Sequence, residues 1–136
     1  MSWPLLVFLL LLAWLVWDWV LAPLLGAPQT TPWELRSRLD EGEKPYLLDV
    51  RTPTEHRWFR LPGAVNRPWP VDPSQLDIPK DVPIVVVCMT GHRSLLAVRR
   101  LQKAGFTNVS NLTWGTVAWR LLGNSVEKGE QSDKGK

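Results

Sequence analysis

The stretch that decides the fold is Ile84-Val85-Val86-Val87-Cys88-Met89-Thr90-Gly91-His92-Arg93-Ser94, in which an apolar run meets a polar loop. The apolar run is β-branched throughout and has no polar alternation, which is typical of a strand covered on both faces in a parallel sheet. The apolar residues after this stretch recur on one helical face, namely Leu95, Val98 and Leu101. The pattern predicts a buried strand, a loop that begins with a cysteine, and a helix.

Cys88 is the single cysteine of the chain and the candidate nucleophile. Backbone N–H groups at a helix N-terminus favour an anion, and the natural anion here is the thiolate of Cys88, which is the reactive form of cysteine. The alternative is a small buried apolar residue at a strand end, because unpaired cysteines are among the most buried residues. The glycine, arginine and serine that follow favour the nucleophile.

The loop belongs to a longer series of motifs. Cys88–Ser94 reads Cys, two residues, Gly, one residue, Arg-Ser, and further motifs accompany it in a fixed order. They are Leu47-Leu48-Asp49-Val50-Arg51, Pro62-Gly63-Ala64-Val65-Asn66, Gly105-Phe106 with Val109 and Leu112, and Ala118-Trp119 with Gly123. Together they resemble the rhodanese-like family of sulfurtransferases over roughly Thr30 to Gly123.

The resemblance implies an α/β fold, a three-layer sandwich with a mainly parallel sheet. It implies that Cys88 is catalytic, taking sulfur from a small donor such as thiosulfate and passing it to a thiol or protein acceptor. Two departures from the family bear on substrate choice. Phe59-Arg60 precedes the Leu61-Pro62 turn where Gly-His is common, and Trp114 replaces the first of two glycines.

The loop residues after Cys88 are expected to bind the thiolate and the terminal sulfur through their backbone N–H groups, and they are Met89, Thr90, Gly91, His92 and Arg93. Gly91 permits a close approach that a side chain would block. Arg93 either orients an anionic donor or pairs with an acid such as Asp49, and both alternatives stay open.

Other polar residues near the loop are expected to support it. Ser94 is predicted to cap the following helix rather than to act in catalysis. Asp49 and Arg51 are predicted to brace the loop. His92 either helps to bind an anion when protonated or faces solvent, and no role is assigned to His56.

The spacing of cysteine and arginine separates two chemistries. Phosphatases of the protein-tyrosine class use a loop one residue longer than the four residues between Cys88 and Arg93. The shorter loop forms a tighter cradle, which suits a thiolate or one added sulfur better than a phosphate. A sulfurtransferase is therefore favoured, and the alternatives are a sulfur carrier or docking module with little turnover, and a cysteine phosphatase.

The composition limits the partners. The net charge of +3 comes from scattered basic residues, so nucleic acid is not an expected partner. One cysteine excludes an internal disulfide framework and a multi-cysteine zinc site, and no metal or cofactor is expected. A reduced thiol suits a reducing compartment.

A long apolar run opens the chain. From Trp3 to Leu25 the only charged residue is Asp18, and as a helix this run would reach roughly 34 Å, enough to cross a hydrocarbon core. The sequence predicts one transmembrane helix over residues 3–25. A cleaved signal peptide is disfavoured because no basic residue precedes the run. A helix buried in the core is disfavoured because so apolar a helix would need a larger protein to cover it.

The flanks of this run predict its orientation. The basic residues Arg36, Arg38 and Lys44 follow it, so the positive-inside rule places a rhodanese-like domain over 30–123 in the cytoplasm. Residues 124–136 are almost devoid of apolar side chains and are predicted to be a solvated, disordered tail.

Local signals predict the remaining elements. Thr31-Pro32-Trp33-Glu34 indicates a capped helix start. The expected order is a helix to Glu41, a strand over 46–50, a short helix from Pro53, a loop over 68–83, a strand over 109–112 and a helix over 115–122.

Overall fold

The fold is built on a parallel sheet of five strands in the order β1-β5-β4-β2-β3. The computed structural model describes residues 2–17, 20, 24, 26–90 and 92–129, except for the side chain of His92. The strands are β1 (Gln29–Thr30), β2 (Tyr46–Asp49), β3 (Val65–Asn66), β4 (Ile84–Val87) and β5 (Val109–Leu112). The α/β class with a parallel sheet is therefore confirmed.

The α-helices of the described residues are α1 (Trp3–Val16), α2 (Pro32–Asp40), α3 (Pro53–Trp58), α4 (His92–Lys103) and α5 (Gly115–Leu121). Three of them, α2, α4 and α5, cover the two faces of the sheet. Leu95 and Leu101 of α4 pack in one apolar cluster, whereas Leu35 of α2 and Trp119 of α5 pack in another. The sheet separates the two clusters, which gives the predicted three layers.

Strand β4 lies at the centre of the sheet and joins both clusters. Its four residues are all buried. Val86 belongs to the cluster that contains α4, and Val85 and Val87 belong to the cluster that contains α2 and α5, as the alternation of side chains along a strand requires. Because both faces are covered, the apolar run without polar alternation was a reliable signal.

Side-chain caps fix the starts of two helices. The Thr31 hydroxyl accepts a hydrogen bond from the Glu34 N–H at 3.2 Å, as the sequence predicts for α2. At α3, Thr52 and Glu55 form a reciprocal capping box. Glu55 therefore has a fixed position at the carboxyl edge of the sheet.

Strands β1 and β3 are not among the elements that the sequence predicts. Each has two residues, too few to show a strand period. Thr30 aligns with Leu112, and Val65 aligns with Leu48. These strands exist because longer neighbouring strands offer them partners.

Residues 124–129 differ from the predicted disordered tail. Glu127 and Arg60 exchange backbone hydrogen bonds at 2.8 and 3.0 Å, and the Arg60 guanidinium donates to the Gly129 carbonyl at 2.7 Å. Val126 packs against the cluster that contains Trp119. The prediction failed here because backbone pairing needs no apolar side chains, and residues 130–136 lie outside the described part of the chain.

The apolar run at the N-terminus forms α1, a helix of 14 residues with none of them buried. Within the described residues, no helix combines the length and apolarity that a membrane crossing needs. The predicted span over 3–25 includes residues 18–19, 21–23 and 25, which lie outside the described part. The transmembrane helix over this range stays a prediction.

Candidate active site around Cys88

Cys88 follows β4 directly, at the carboxyl edge of the parallel sheet. Its side chain is buried, with 1% of its surface exposed. The Sγ atom lies 3.4 Å from the Ser94 Oγ atom in the first turn of α4. The thiol is therefore held between the end of a central strand and the start of a helix, as the sequence predicts.

The N-terminus of α5 holds the backbone of the loop. The Thr116 N–H donates to the Cys88 carbonyl at 2.9 Å, and the Val117 N–H donates to the Met89 carbonyl at 3.1 Å. N–H groups in the first turn of a helix have no partner within the helix. Here the loop carbonyls provide those partners, so α5 and the loop are fixed to each other.

Gly115 is required for this close approach. Its φ is +72°, and a Cβ atom there would lie 2.5 Å from the Met89 carbonyl oxygen and would also overlap the Cys88 carbonyl. No side chain fits without moving the loop. The glycine that this chain keeps at the start of α5 is therefore a packing requirement of the loop.

Trp114, which departs from the family pattern, precedes Gly115 with a φ of 62°. A bulky residue in this left-handed region is uncommon and strained. Its ring lies 6.1 Å from the ring of Trp33. Trp114 therefore places an aromatic side chain beside Trp33, directly before the glycine that contacts the loop, and the resemblance predicts an effect of this departure on substrate choice.

Ser94 is not a helix cap, because it lies inside the first turn of α4 and its hydroxyl donates to the Oδ1 atom of Asn111. The Asn111 amide donates in turn to Gln29 Oε1 at 3.0 Å, and the Thr113 hydroxyl donates to the same oxygen at 3.0 Å. With its proton given to Asn111, the Ser94 oxygen can accept a hydrogen bond from the Cys88 thiol. Ser94 is thus a positioning residue for the nucleophile.

Asp49 and Arg51 form a fully buried ion pair below the loop, with an Nη2–Oδ2 distance of 2.9 Å. Burial raises the pKa of Asp49, but hydrogen bonds from His56 and Arg51 and the charge of Arg51 outweigh it, so the pKa is lowered. Arg51 Nη1 also donates to the Thr116 hydroxyl at 3.5 Å. The pair therefore supports the loop indirectly, through the start of α5.

His56 was assigned no role from the sequence, yet it is buried and contacts the same carboxylate. Its Nδ1 atom lies 2.7 Å from Asp49 Oδ2. Its Nε2 atom has no hydrogen-bond partner among the described residues. The sequence gives no signal for this contact, because the two residues are brought together by the turn between β2 and α3.

Arg93 pairs with Glu55 rather than with Asp49. Its Nη1 and Nη2 atoms donate to the two carboxylate oxygens at 3.1 and 3.0 Å, a parallel two-point contact. The hydrogen bonds from Arg93 lower the pKa of Glu55 although partial burial raises it, and the bonds to Glu55 raise the pKa of Arg93. The sequence analysis missed Glu55 as a site residue because it lies 38 positions before Arg93, outside the motif of the loop.

The other predicted loop residues are only partly described. The Met89 sulfur accepts a hydrogen bond from the Thr116 hydroxyl at 3.7 Å, and the Thr90 carbonyl accepts one from Trp14 Nε1 at 2.8 Å. Gly91 and the His92 side chain lie outside the described residues. Their predicted roles stay predictions.

Replacing Glu55 with glutamine should lower sulfur-transfer activity and cost less than about 1 kcal/mol of stability, because the pair is partly exposed to solvent. The folded-state pKa of Glu55 is lowered. The contribution of the Glu55 carboxylate to the free energy of unfolding is therefore present above its unfolded-state pKa. This contribution is lost as the pH falls through its folded-state pKa. Denaturant titrations should show the two proteins converging in stability below about pH 4.

Glu43→Gln is the matched control for this experiment. Glu43 pairs with Arg38 at 2.7 Å on the surface, and it precedes β2, at the edge of the sheet opposite Cys88. This control should change stability by a similarly small amount and leave activity unchanged. Equal activity losses in both variants would show that Glu55 has no specific role at the loop.

The comparisons with known proteins agree with this geometry. The family model described as a rhodanese-like domain matches residues 31–122. The chain belongs to the rhodanese-like family. A sulfurtransferase of Allochromatium vinosum is 37% identical to the rhodanese-like domain over 90 residues, which cover 65% of this chain and 84% of the relative.

Two further likenesses show where such domains occur. The rhodanese-like domain of an Anabaena protein, solved in solution, is 33% identical with a TM-score of 0.69 and covers 74% of this chain and 79% of that chain. The adenylyltransferase and sulfurtransferase uba4 of Ogataea parapolymorpha is 33% identical over 84 residues, or 60% of this chain. This chain covers only 22% of that longer relative.

Proposed function

We propose that this protein is a sulfurtransferase that carries sulfane sulfur as a persulfide on Cys88. The observation that carries the proposal is the placement of one buried thiol, 3.4 Å from the Ser94 hydroxyl, in a loop whose carbonyls are held by α5. Membership of the rhodanese-like family and the likeness to sulfurtransferases support a transferase. The donor we propose is a small sulfane compound such as thiosulfate.

The reaction has two half-reactions and needs no external oxidant. The Cys88 thiolate attacks the outer sulfur of thiosulfate, the sulfur–sulfur bond of the donor breaks, and sulfite leaves with the electron pair. An acceptor thiolate then attacks the outer sulfur of the persulfide. The bond to Cys88 breaks and its sulfur leaves as the thiolate, which restores the protein.

Mass spectrometry after incubation with thiosulfate tests this proposal. The peptide that contains Cys88 should gain the mass of one sulfur atom, and a thiol acceptor or cyanide should remove it. No added mass would contradict the proposal. Hydrolysis of p-nitrophenyl phosphate instead would support the phosphatase alternative, and loading without turnover would support a sulfur carrier.

We further propose that the apolar N-terminus anchors the protein in a membrane with its rhodanese-like domain in the cytoplasm. The apolar run over 3–25 and the basic residues only on its C-terminal side support this proposal. The anchor would confine a sulfur-loaded Cys88 near the bilayer. Acceptors in the same membrane would then meet it at a raised local concentration.

A reporter fused to the C-terminus of the full chain should place that end in the cytoplasm. Green fluorescent protein should fluoresce there, whereas alkaline phosphatase, which needs export, should stay inactive. Active alkaline phosphatase would overturn the orientation. A mature protein that begins near Pro28 would overturn the anchor itself.

A further inference from the structure

Helix α1 presents apolar side chains in every direction. From Trp3 to Val16 it has no polar side chain, and its exposed large side chains are between 39% and 76% accessible. An apolar helix that the protein does not cover needs an apolar surrounding, and a lipid bilayer provides one. The parts of the domain that lie beside α1 therefore share its apolar surroundings.

The C-terminal part of α1 is joined to the active-site loop. Trp14 Nε1 donates a hydrogen bond of 2.8 Å to the carbonyl of Thr90, two residues after Cys88. Trp17 packs against the core cluster that contains Cys88. The loop is therefore attached to α1 by direct contacts.

The domain carries exposed apolar side chains next to α1. Trp33, Leu121 and Leu122, which we call the interfacial face, are 53%, 79% and 57% exposed. With Trp14 and Leu15 of α1 they line an apolar cavity of about 200 Å³. The interfacial face thus continues the apolar surface of α1 onto the rhodanese-like domain, and a contiguous surface of this kind marks an interaction site.

We propose that the interfacial face contacts the lipid bilayer, so that the Cys88 loop is held at the membrane surface. This inference rests on the membrane anchor proposed above. Because Trp14 contacts the carbonyl of Thr90, the part of the run over 3–25 that enters the bilayer lies before Trp14. Tryptophan is enriched at membrane interfaces. A lipid surface fits a continuous apolar area that carries an exposed tryptophan.

The position of the Cys88 loop at the membrane surface affects which acceptors can take the sulfur. A loop held at the membrane surface is reached from the headgroup region and from the adjoining water. A thiol acceptor at the bilayer surface therefore meets the loop directly, and a small soluble donor can still reach Cys88 from the aqueous side.

Site-directed spin labelling of the full chain in lipid vesicles tests the inference. A Cys88→Ser background leaves one label site, introduced as Leu121→Cys on the interfacial face or as Lys44→Cys for the control. Lys44 is exposed and precedes β2, at the edge of the sheet opposite Cys88. In phosphatidylcholine–phosphatidylglycerol vesicles, the Leu121 label should be more accessible to oxygen than to a water-soluble nickel chelate. The Lys44 label should show the reverse.

Each other outcome overturns the inference in a distinguishable way. A protein that floats with the vesicles but keeps its Leu121 label accessible to the nickel chelate is anchored without bilayer contact at this face. A label inaccessible to both reagents indicates a second protein on the face. A protein that does not float lacks the anchor, and the thiosulfate experiment then judges sulfur transfer separately.

Discussion

Replacing Cys88 with serine should abolish persulfide formation and lower turnover with thiosulfate by at least about a thousandfold. The hydroxyl has almost the same size as the thiol, so the contact with Ser94 and the apolar packing should survive. A neutral alcohol is, however, a poor nucleophile towards sulfur, and the chain contains no second cysteine to replace it. Turnover and peptide mass, measured on the same sample, check both parts of the result.

The experiment requires a check that the Cys88→Ser protein is folded. Cys88 is buried in the core cluster, so a loss of activity counts only if far-UV circular dichroism and the melting temperature stay close to those of the original protein. Turnover that persists in a folded Cys88→Ser protein would rule out covalent transfer through this residue.

Gly115→Ala should disrupt the same loop from the opposite side. The new Cβ atom would overlap the Cys88 and Met89 carbonyls, which now accept hydrogen bonds from the first turn of α5. The loop must shift, and the left-handed φ of +72° adds backbone strain. We expect a loss of roughly 2–4 kcal/mol in stability and a strong loss of sulfur transfer, measured by denaturant unfolding and thiosulfate turnover.

Gly123→Ala is a matched control because it introduces the same left-handed backbone strain without an overlap between the new Cβ atom and the loop. Its φ is +83°, and a Cβ atom there would have no atom within 4 Å. It should cost about 1 kcal/mol and leave transfer unchanged. Similar losses at both glycines would mean that backbone strain alone, and not contact with the loop, explains the effect at Gly115.

The sequence could predict the central part of the fold because its signals there are local. Four consecutive β-branched residues indicate β4, and the motif from Cys88 to Ser94 places the loop and α4 directly after it. Strands β1 and β3 could not be predicted in the same way. They are defined by partners elsewhere in the chain and have no pattern of their own.

The partners of the site residues were the least predictable part. Arg93 pairs with Glu55, 38 positions away, and Asn111 donates to Gln29, 82 positions away. A sequence shows which residues can form ion pairs or hydrogen bonds. The order of the strands in the sheet decides which of these residues lie close together. Asp49 was a reasonable partner for Arg93, yet it is already occupied by Arg51 and His56.

The deep burial of the Cys88 side chain has a consequence for when this protein reacts. At 1% exposure, the unloaded thiol is shielded from bulky oxidants and from other proteins, since thiol oxidation follows exposure as well as thiolate character. A persulfide places its outer sulfur about 2 Å beyond Sγ. The reactive atom of the loaded form therefore lies one bond length farther from the Cys88 backbone than the buried thiol sulfur, and we expect a large acceptor to contact the loaded form more readily than the empty one.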